Sequence, residues 1–193
     1  PQLIECIYRE DKEDIHIQKL RKKTEESGFY PYVKNKRIRA EIQEQDLIPL
    51  DKKNIHQNLL WKYASEEEIP AIYKLWEVMD IYNSTIPDEK NLKELLEKKE
   101  IITIWKEEKL CGAARVKMEN RRTGSIWLIT VSRDFRRQGI ATALYKVCLS
   151  ILKEKGCRYV IQWCDEKNQA VLSVSDRFGF QFDGTISCSY ICK

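Results

Sequence analysis

The sequence predicts an α/β (α+β) fold: a mixed, mostly antiparallel sheet flanked by helices, with an amino-terminal β-α-β appendage. Three observations predict it. From Trp61 onward, segments with apolar residues at helical spacing alternate with short β-branched runs. The joints between them carry helix caps and turn residues. With 193 residues, 42% hydrophobic and 33% charged, the chain has the composition of a globular protein with room for one sizeable core.

In the first sixty residues, Leu3 to Tyr8 reads as a strand, and a polar helix from about Ile15 to Ser27 closes at Gly28. "YPYVKNKRIRAEI" reads as a hairpin turning near Lys34 to Lys36, and Gln43 to Leu60 as a connector without periodicity. The expected organisation is therefore an appendage and connector over 1–60 and a main domain over 61–193. The order strand, acidic residues, helix, Gly-Phe, hairpin recurs at Tyr159 to Cys192, with Gly28 and Phe29 echoing Gly179 and Phe180. Two readings stand: a faint internal duplication, in which this segment is the tail half of a degenerate second lobe, or an unrelated β-α-β appendage.

In the main domain, Ser65 and Glu68 have capping-box spacing, and Ile69, Ile72, Trp76 and Met79 follow at helical intervals, with Pro70 in the tolerant first turn. A short helix is expected from about Asn91 to Lys98, with Leu92, Leu95 and Leu96 on one face. Ile101 to Trp105 and Leu110 to Met118 flank a charged turn and read as a hairpin. Ser125 to Val131, apolar and β-branched, reads as a central strand. Ile140, Leu144, Val147, Cys148, Ile151 and Leu152 mark a helical face that Gly156 closes. Arg158 to Trp163 is a strand, "DEKNQAVLSVSDRFGF" a helix ending at Gly179, and Thr185 to Cys192 a strand. The expected order is α, α, β, β, β, α, β, α, β, β, for which a mixed sheet with helices on its faces is the natural solution.

Bulk properties narrow the function. The net charge of +4, from 34 Lys+Arg against 30 Asp+Glu, suits an anionic ligand and does not point to nucleic acid. The run Lys34 to Arg39 is balanced by Glu41, Glu44 and Asp46 and reads as an edge-strand solubility device. No apolar run approaches the ~20 residues that span a bilayer, so no membrane partner is expected. No signal peptide is visible, and a first residue of Pro suggests a processed or trimmed start. Seven scattered cysteines and two histidines, His16 and His56, do not make a metal site. Most of the cysteines fall in apolar runs and read as small buried side chains, which fits a reducing, cytoplasmic setting.

The stretch with chemistry is Phe135 to Leu144, "FRRQGIATAL". A strand that ends, a Gly-containing turn and a helix start make an anion site, because the first helical N–H groups lack intrahelical partners and the helix dipole adds partial positive charge. Gly139 and Ala141 let a ligand approach the backbone closely, and Arg136 and Arg137 add full charges for phosphate oxygens, or are solvated surface residues. The ATP-type loop G-x-x-x-x-G-K-[ST] and the dinucleotide fingerprint G-x-G-x-x-G are both absent.

Val131 to Ala141, "VSRDFRRQGIA", resembles the motif of the GNAT acyltransferases, Arg/Gln-x-x-Gly-x-Gly/Ala after a central strand, with Arg136, Gly139 and Ala141 in the defining positions. Asn168 to Phe180 is similar to that family's Asn…Gly-Phe helix. The resemblance extends over about 130 residues, Trp61 to Lys193. It implies acetyl-CoA, or another acyl-CoA, as cofactor. It also implies that backbone amides from Arg136 through Arg137, Gln138, Gly139, Ile140 and Ala141 to Thr142 hold the pyrophosphate. Ile129, Thr130 and Val131 would pair with the pantetheine arm where the sheet splays, and Asn168 would contact the pantetheine or the adenosine side. Asp80, Tyr82 and Asn83 occupy the loop that lines the acceptor pocket in such enzymes, or are a plain polar loop.

Acyl transfer to an amine needs a deprotonated amine, since an unperturbed Lys-type amine has a pKa of ~10.4. It needs a donor to the thioester oxygen as charge develops there, which a backbone N–H near Val131 would supply. It also needs departure of the sulfur. The family's acid Tyr, four residues before the Gly of Gly-Phe, is here Ser175; a thiol of pKa ~8.5 can leave unaided. The early strand Glu of histone-type members falls near Ser125, and no carboxylate lies between Ser125 and Val131. Asp165 or Glu166 could be the base, directly or through water, although Asp165 also suits an N-cap. Cys164 is a nucleophile or an inert strand cysteine, and Tyr190 faces the thioester or packs in the core. Two functions follow. One is an N-acyltransferase acting on the amine of a small molecule, amino acid or protein, as monomer or homodimer. The other is a degenerate module that binds acyl-CoA or a partner protein without turnover.

Overall fold

The structure, a computed structural model, describes residues 2–12, 15–55, 58–79 and 85–192. In chain order the strands are β1 (Gln2–Arg9), β2 (Tyr30–Glu41), β3 (Leu60–Tyr63), β4 (Ile101–Lys106), β5 (Lys109–Met118), β6 (Thr123–Val131), β7 (Tyr159–Asp165) and β8 (Gln181–Cys192). The helices are α1 (Ile15–Glu26), α2 (Ile69–Trp76), α3 (Glu89–Glu97), α4 (Ile140–Glu154) and α5 (Gln169–Asp176). The mixed α/β class, mostly antiparallel, is as the sequence indicates. Residues pack into two units, Glu41–Ile161 and a second made of Pro1–Ala40 with Gln162–Lys193.

In the Glu41–Ile161 unit the strand order is β7-β6-β5-β4-β3. The β4–β5 hairpin turns on Glu107 and Glu108, both left-handed at φ 48 and 64, the backbone of a two-residue hairpin turn. β5 and β6 are antiparallel, and their register jumps between Ala113↔Thr130 and Arg115↔Trp127. Leu128, at φ 53, lies within that bulge. β6 runs parallel to β7 over Thr123 to Ser125. The expected capping box forms: Glu68 accepts from the Ser65 backbone at 3.1 Å and pairs with Lys62. Beyond it, α2 and α3 bury Ile72, Trp76, Leu92, Leu95 and Leu96 in one cluster with Ile101 and Leu128.

Every residue of the expected α4 face is buried. Two glycines let this helix lie close to the sheet. A Cβ on Gly124 would stand 2.2 Å from Leu152, and one on Gly112 would stand 2.9 Å from both Ile140 and the Thr130 carbonyl. Gly112 thus fixes how near the first turn of α4 sits to the end of β6.

The other unit has the order β1-β8-β2-β7. β1 is antiparallel to β8 from Gln2↔Cys192 to Arg9↔Thr185, and β2 is antiparallel to β8 from Tyr30↔Ile191 to Arg39↔Gln181. Two expectations are corrected here. Residues Tyr30–Glu41 form one continuous strand with two bulges, not a hairpin turning at Lys34 to Lys36. That strand lies between β8 and β7, not at an edge. Its charges are matched by residues remote in sequence: Lys34 by Glu10 and Glu166, Lys36 by Glu166, and Arg37 by Asp183 at 2.7 Å. Two element assignments change as well. The chain ends in one twelve-residue strand rather than two, and the expected connector ends in β3, which buries Trp61.

The two strand–helix–strand segments of this unit close their helices alike. Gly28 donates to Glu25 and Phe29 to Thr24, while Gly179 donates to Asp176 and Phe180 to Ser175. Both glycines have positive φ, 85 and 71. Thr24 and Ser175 occupy the same place, and each hydroxyl donates back to the carbonyl four residues earlier, at 3.0 and 2.7 Å.

The cysteines are free thiols. Burial pushes Cys148 and Cys164 up to about 12 from an ordinary 9.0. The folded state therefore keeps these protons after the unfolded chain would release them. Stability from this source is full below pH 9 and is lost as pH rises from 9 towards 12. The melting temperature is expected to be flat from pH 7 to 8.5 and to fall above 9, with a shallower fall for Cys148→Ala. An equal fall in that variant would assign the effect elsewhere.

Candidate functional site

β6 ends at Val131, a 3₁₀ turn follows over Arg133–Phe135, and α4 starts at Ile140. Between them the backbone turns left-handed twice, at Arg137 (φ 60) and at Gly139 (φ 80), the N-cap of α4. Residues 136 to 139 are exposed, and a Cβ on Gly139 would meet nothing within 4 Å. Ala143, donating to Gly139 at 2.9 Å, enters the helical ladder first, so the amides of Ile140, Ala141 and Thr142 precede it at the positive end of the dipole. The loop is braced without using these amides. Gln138 donates to the Asp134 carbonyl at 3.0 Å and accepts from Lys106 at 3.4 Å, and Arg136 Nε reaches the Val131 carbonyl at 3.5 Å. The arrangement can hold an anion against backbone amides, and the Arg136 contact joins it to the end of β6.

On β6, the Thr130 hydroxyl is buried and lies 3.2 Å from both Met79 Sδ and the Leu128 carbonyl. Ser125, fully buried, is not alone: its hydroxyl donates to Glu119 at 2.6 Å and accepts from Trp127 Nε1 at 2.8 Å. A carboxylate therefore reaches the central strand from the β5–β6 turn. Burial pushes Glu119 up, but hydrogen bonding by Ser125 and the Lys117 ammonium outweigh it and hold the carboxyl below its ordinary value. Sequence spacing had drawn attention to Ser125 but not to Glu119, whose only signal is its place at the end of a hairpin strand.

Asn168, Ser175, Asp165, Glu166, Cys164 and Tyr190 belong to the other unit. Asn168 caps α5, accepting from Val171 N at 3.2 Å. The cap expected of Asp165 is thus made by Asn168, while Asp165 Oδ1 accepts from Lys167 N at 2.9 Å within the turn. Glu166 is shared by Lys34 and Lys36, each at 3.7 Å. Ser175 is 1% exposed and its proton is engaged by its own helix, as is that of Thr24. Cys164 donates to the Asp165 carbonyl, and its raised pKa leaves almost no thiolate at neutral pH. Tyr190 packs with Tyr8, Ile186 and Cys188, its hydroxyl accepting from Arg21 Nε at 2.8 Å. Asp80, Tyr82 and Asn83 lie outside the described residues.

The profile of the acetyltransferase (GNAT) family matches residues 63–180. The chain belongs to this family. A curated relative, N-alpha-acetyltransferase 30 of Schizosaccharomyces pombe, is 32% identical over 57 residues, which span 30% of this chain and 38% of that protein. Among solved structures, a functionally unknown conserved protein from Staphylococcus epidermidis aligns with a TM-score of 0.67 and 16% identity, over 97% of this chain and 71% of that one. A GCN5-related N-acetyltransferase from Sphaerobacter thermophilus aligns at 0.66 and 13%, over 98% and 59%. At these identities the structures share the fold. The GNAT profile covers the loop, the bulged strand and the Asn168 to Phe180 segment. Among the described residues no helix is long and apolar enough to cross a membrane, and no three His, Cys, Asp or Glu side chains gather as metal ligands.

Proposed function

We propose that the protein is an N-acetyltransferase that moves an acetyl group from acetyl-CoA to a primary amine. The observation that carries this is the loop over 136–142, where left-handed Gly139 opens the helix start, in a chain of the GNAT family. Its open space, free leading amides and exposed Arg136 and Arg137 fit a diphosphate. In this reading the amides from Arg136 to Thr142 hold the pyrophosphate, and Ile129, Thr130 and Val131 align the pantetheine arm. Asn168 contacts the cofactor with the part of its amide not used as the cap.

Bound acetyl-CoA supplies a thioester carbonyl that an amine can attack directly. As the N–C bond forms and the C–S bond breaks, an N–H near Val131 donates to the carbonyl oxygen, on a strand whose bulge re-aims its peptide groups. The amine proton passes to a carboxylate, Asp165, Glu166 or the partly exposed Glu119, and the sulfur leaves as a thiolate. The Ser175 hydroxyl, committed to its helix, is not needed as an acid.

The test is release of CoA with acetyl-CoA and a panel of amines that includes α-amines, because the Schizosaccharomyces pombe relative is named an N-alpha-acetyltransferase. Acetylated amine and free CoA should appear in equal amounts. Acetyl-CoA binding with no release across the panel would instead support a binding module. Rate profiles against pH for Asp165→Asn, Glu166→Gln and Glu119→Gln identify the base, because only its loss removes the acidic limb.

A further inference from the structure

We infer that the outer edge of β1 is a dimer interface, to which a second copy of this chain adds its own β1 in an antiparallel register centred on Ile7. This interface does not depend on the acyl-transfer reading. β1 is the outermost strand of the unit that joins Pro1–Ala40 to Gln162–Lys193. It pairs with β8 on one side, and among the described residues no strand pairs with the other. Sheet edges are commonly blunted by a proline, a lysine or a bulge, because their unpaired N–H and C=O groups accept further strands. The strand QLIECIYR has no Pro and no Lys, and its ladder with β8 runs from Gln2↔Cys192 to Arg9↔Thr185 without a register shift. Most of the exposed large apolar side chains among the described residues belong to this unit, and Leu3, Ile4 and Ile7 stand on β1 itself, Ile7 at 59% exposed.

The strands behind β1 determine which of its backbone groups face the edge. The Lys34 carbonyl accepts from Glu166 N at 3.2 Å, so Lys34 turns its backbone away from β8, and its pair with Cys188 is a non-hydrogen-bonded one. Cys188 then directs its own N–H and C=O to its partner on β1, Cys6. The even residues of β1 are thus bonded to β8, and Leu3, Glu5, Ile7 and Arg9 turn their backbone groups to the edge. A two-fold axis perpendicular to the sheet brings the odd residues of one copy opposite the odd residues of the other. The charges choose among the registers that remain. Centred on Glu5, the pairing sets Glu5 against Glu5; centred on Cys6, it sets Glu5 against Ile7 and Arg9 against Leu3. Centred on Ile7, Glu5 of each copy faces Arg9 of the other, and the exposed Ile7 packs on its own copy. Opposite charges directly across a strand pair stabilise it, and like charges do the reverse. Arg9 is met by Asp11 at 3.0 Å, but these side chains are 46% and 58% exposed, and a pair so exposed contributes little and does not bar a second carboxylate. Glu5 accepts from the Ser187 hydroxyl through one oxygen, a neutral donor that leaves its charge in place.

The test is the mass of the protein in sedimentation, over a concentration series that reaches the millimolar range. The wild type should reach the mass of two chains. Ile7→Lys brings two ammonium groups together at the axis and should raise the dissociation constant of the dimer by more than about a hundredfold. Exchange of charge tests the register. Glu5→Arg and Arg9→Glu each set like charges opposite one another, so each variant alone should associate more weakly than the wild type. Mixed in equal amounts, the two are complementary and should form a heterodimer. Circular dichroism and melting of each variant, taken at a dilution where the wild type is a single chain, should match the wild type and show that it is folded. Should Glu5→Arg not fold, Glu5→Gln keeps an acceptor for Ser187 and should still weaken the dimer. A wild type that remains a single chain throughout would leave the β1 edge to some other partner and overturn the inference. So would a dimer that survives Ile7→Lys, or a mixture of the two charge variants that associates no better than either alone.

Discussion

Replacing Gly139 with Glu is expected to abolish acetyl-CoA binding. Gly139 has φ 80, a conformation that costs an L-residue about 1–2 kcal/mol, and it caps α4 where the unpaired amides begin. The space beside it is open, so no side-chain clash in the free protein would mask the result. The new carboxylate would occupy the place of the diphosphate and oppose its charge at the positive end of the dipole, and affinity in calorimetry should fall by more than about a hundredfold. Gly139→Ala separates the two causes: it carries the backbone strain without the charge and should weaken binding by no more than about tenfold, with a lowered melting temperature. Unchanged affinity in Gly139→Glu would remove the loop from the site.

The largest effect on stability is expected at Trp76. It is 0% exposed, packs edge-on to Tyr73 with ring centres 6.3 Å apart, and joins α2 to α3 in the cluster that includes Leu92 and Leu128. Trp76→Ala should cost about 3–5 kcal/mol in urea unfolding, through lost burial and the remaining cavity. Trp76→Phe should cost far less than its lost area suggests. The buried indole N–H has no hydrogen-bond partner among the described residues, and removing an unpaired buried donor returns about 1–3 kcal/mol. A Phe variant as unstable as the Ala variant would show that this N–H contributes a bond.

What could be read from the sequence was local in origin. The Ser65–Glu68 cap, the α4 face and its closing Gly156, and the glycine turn before Ile140 all depend on neighbours within one or two helical turns, and each appears as expected. What was misread depends on partners far along the chain. The Lys-Asn-Lys stretch of β2 looks like a turn until Glu166 and Asp183, more than a hundred residues away, supply its counter-charges and β8 its ladder. Ser175, at the family's acid position, gives its hydroxyl to Val171 in its own helix, as Thr24 does to Leu20. Glu119 had no motif to announce it and gains meaning from Ser125 across a hairpin.

Amide hydrogen exchange with and without CoA tests the central claim most directly, because the claim concerns backbone N–H groups. Residues 129–131 and 136–142 are expected to gain protection on CoA binding, and in Gly139→Glu no segment should. Protection confined to other segments, or CoA binding that leaves 136–142 exchanging at its free rate, would contradict a pyrophosphate cradle at the start of α4.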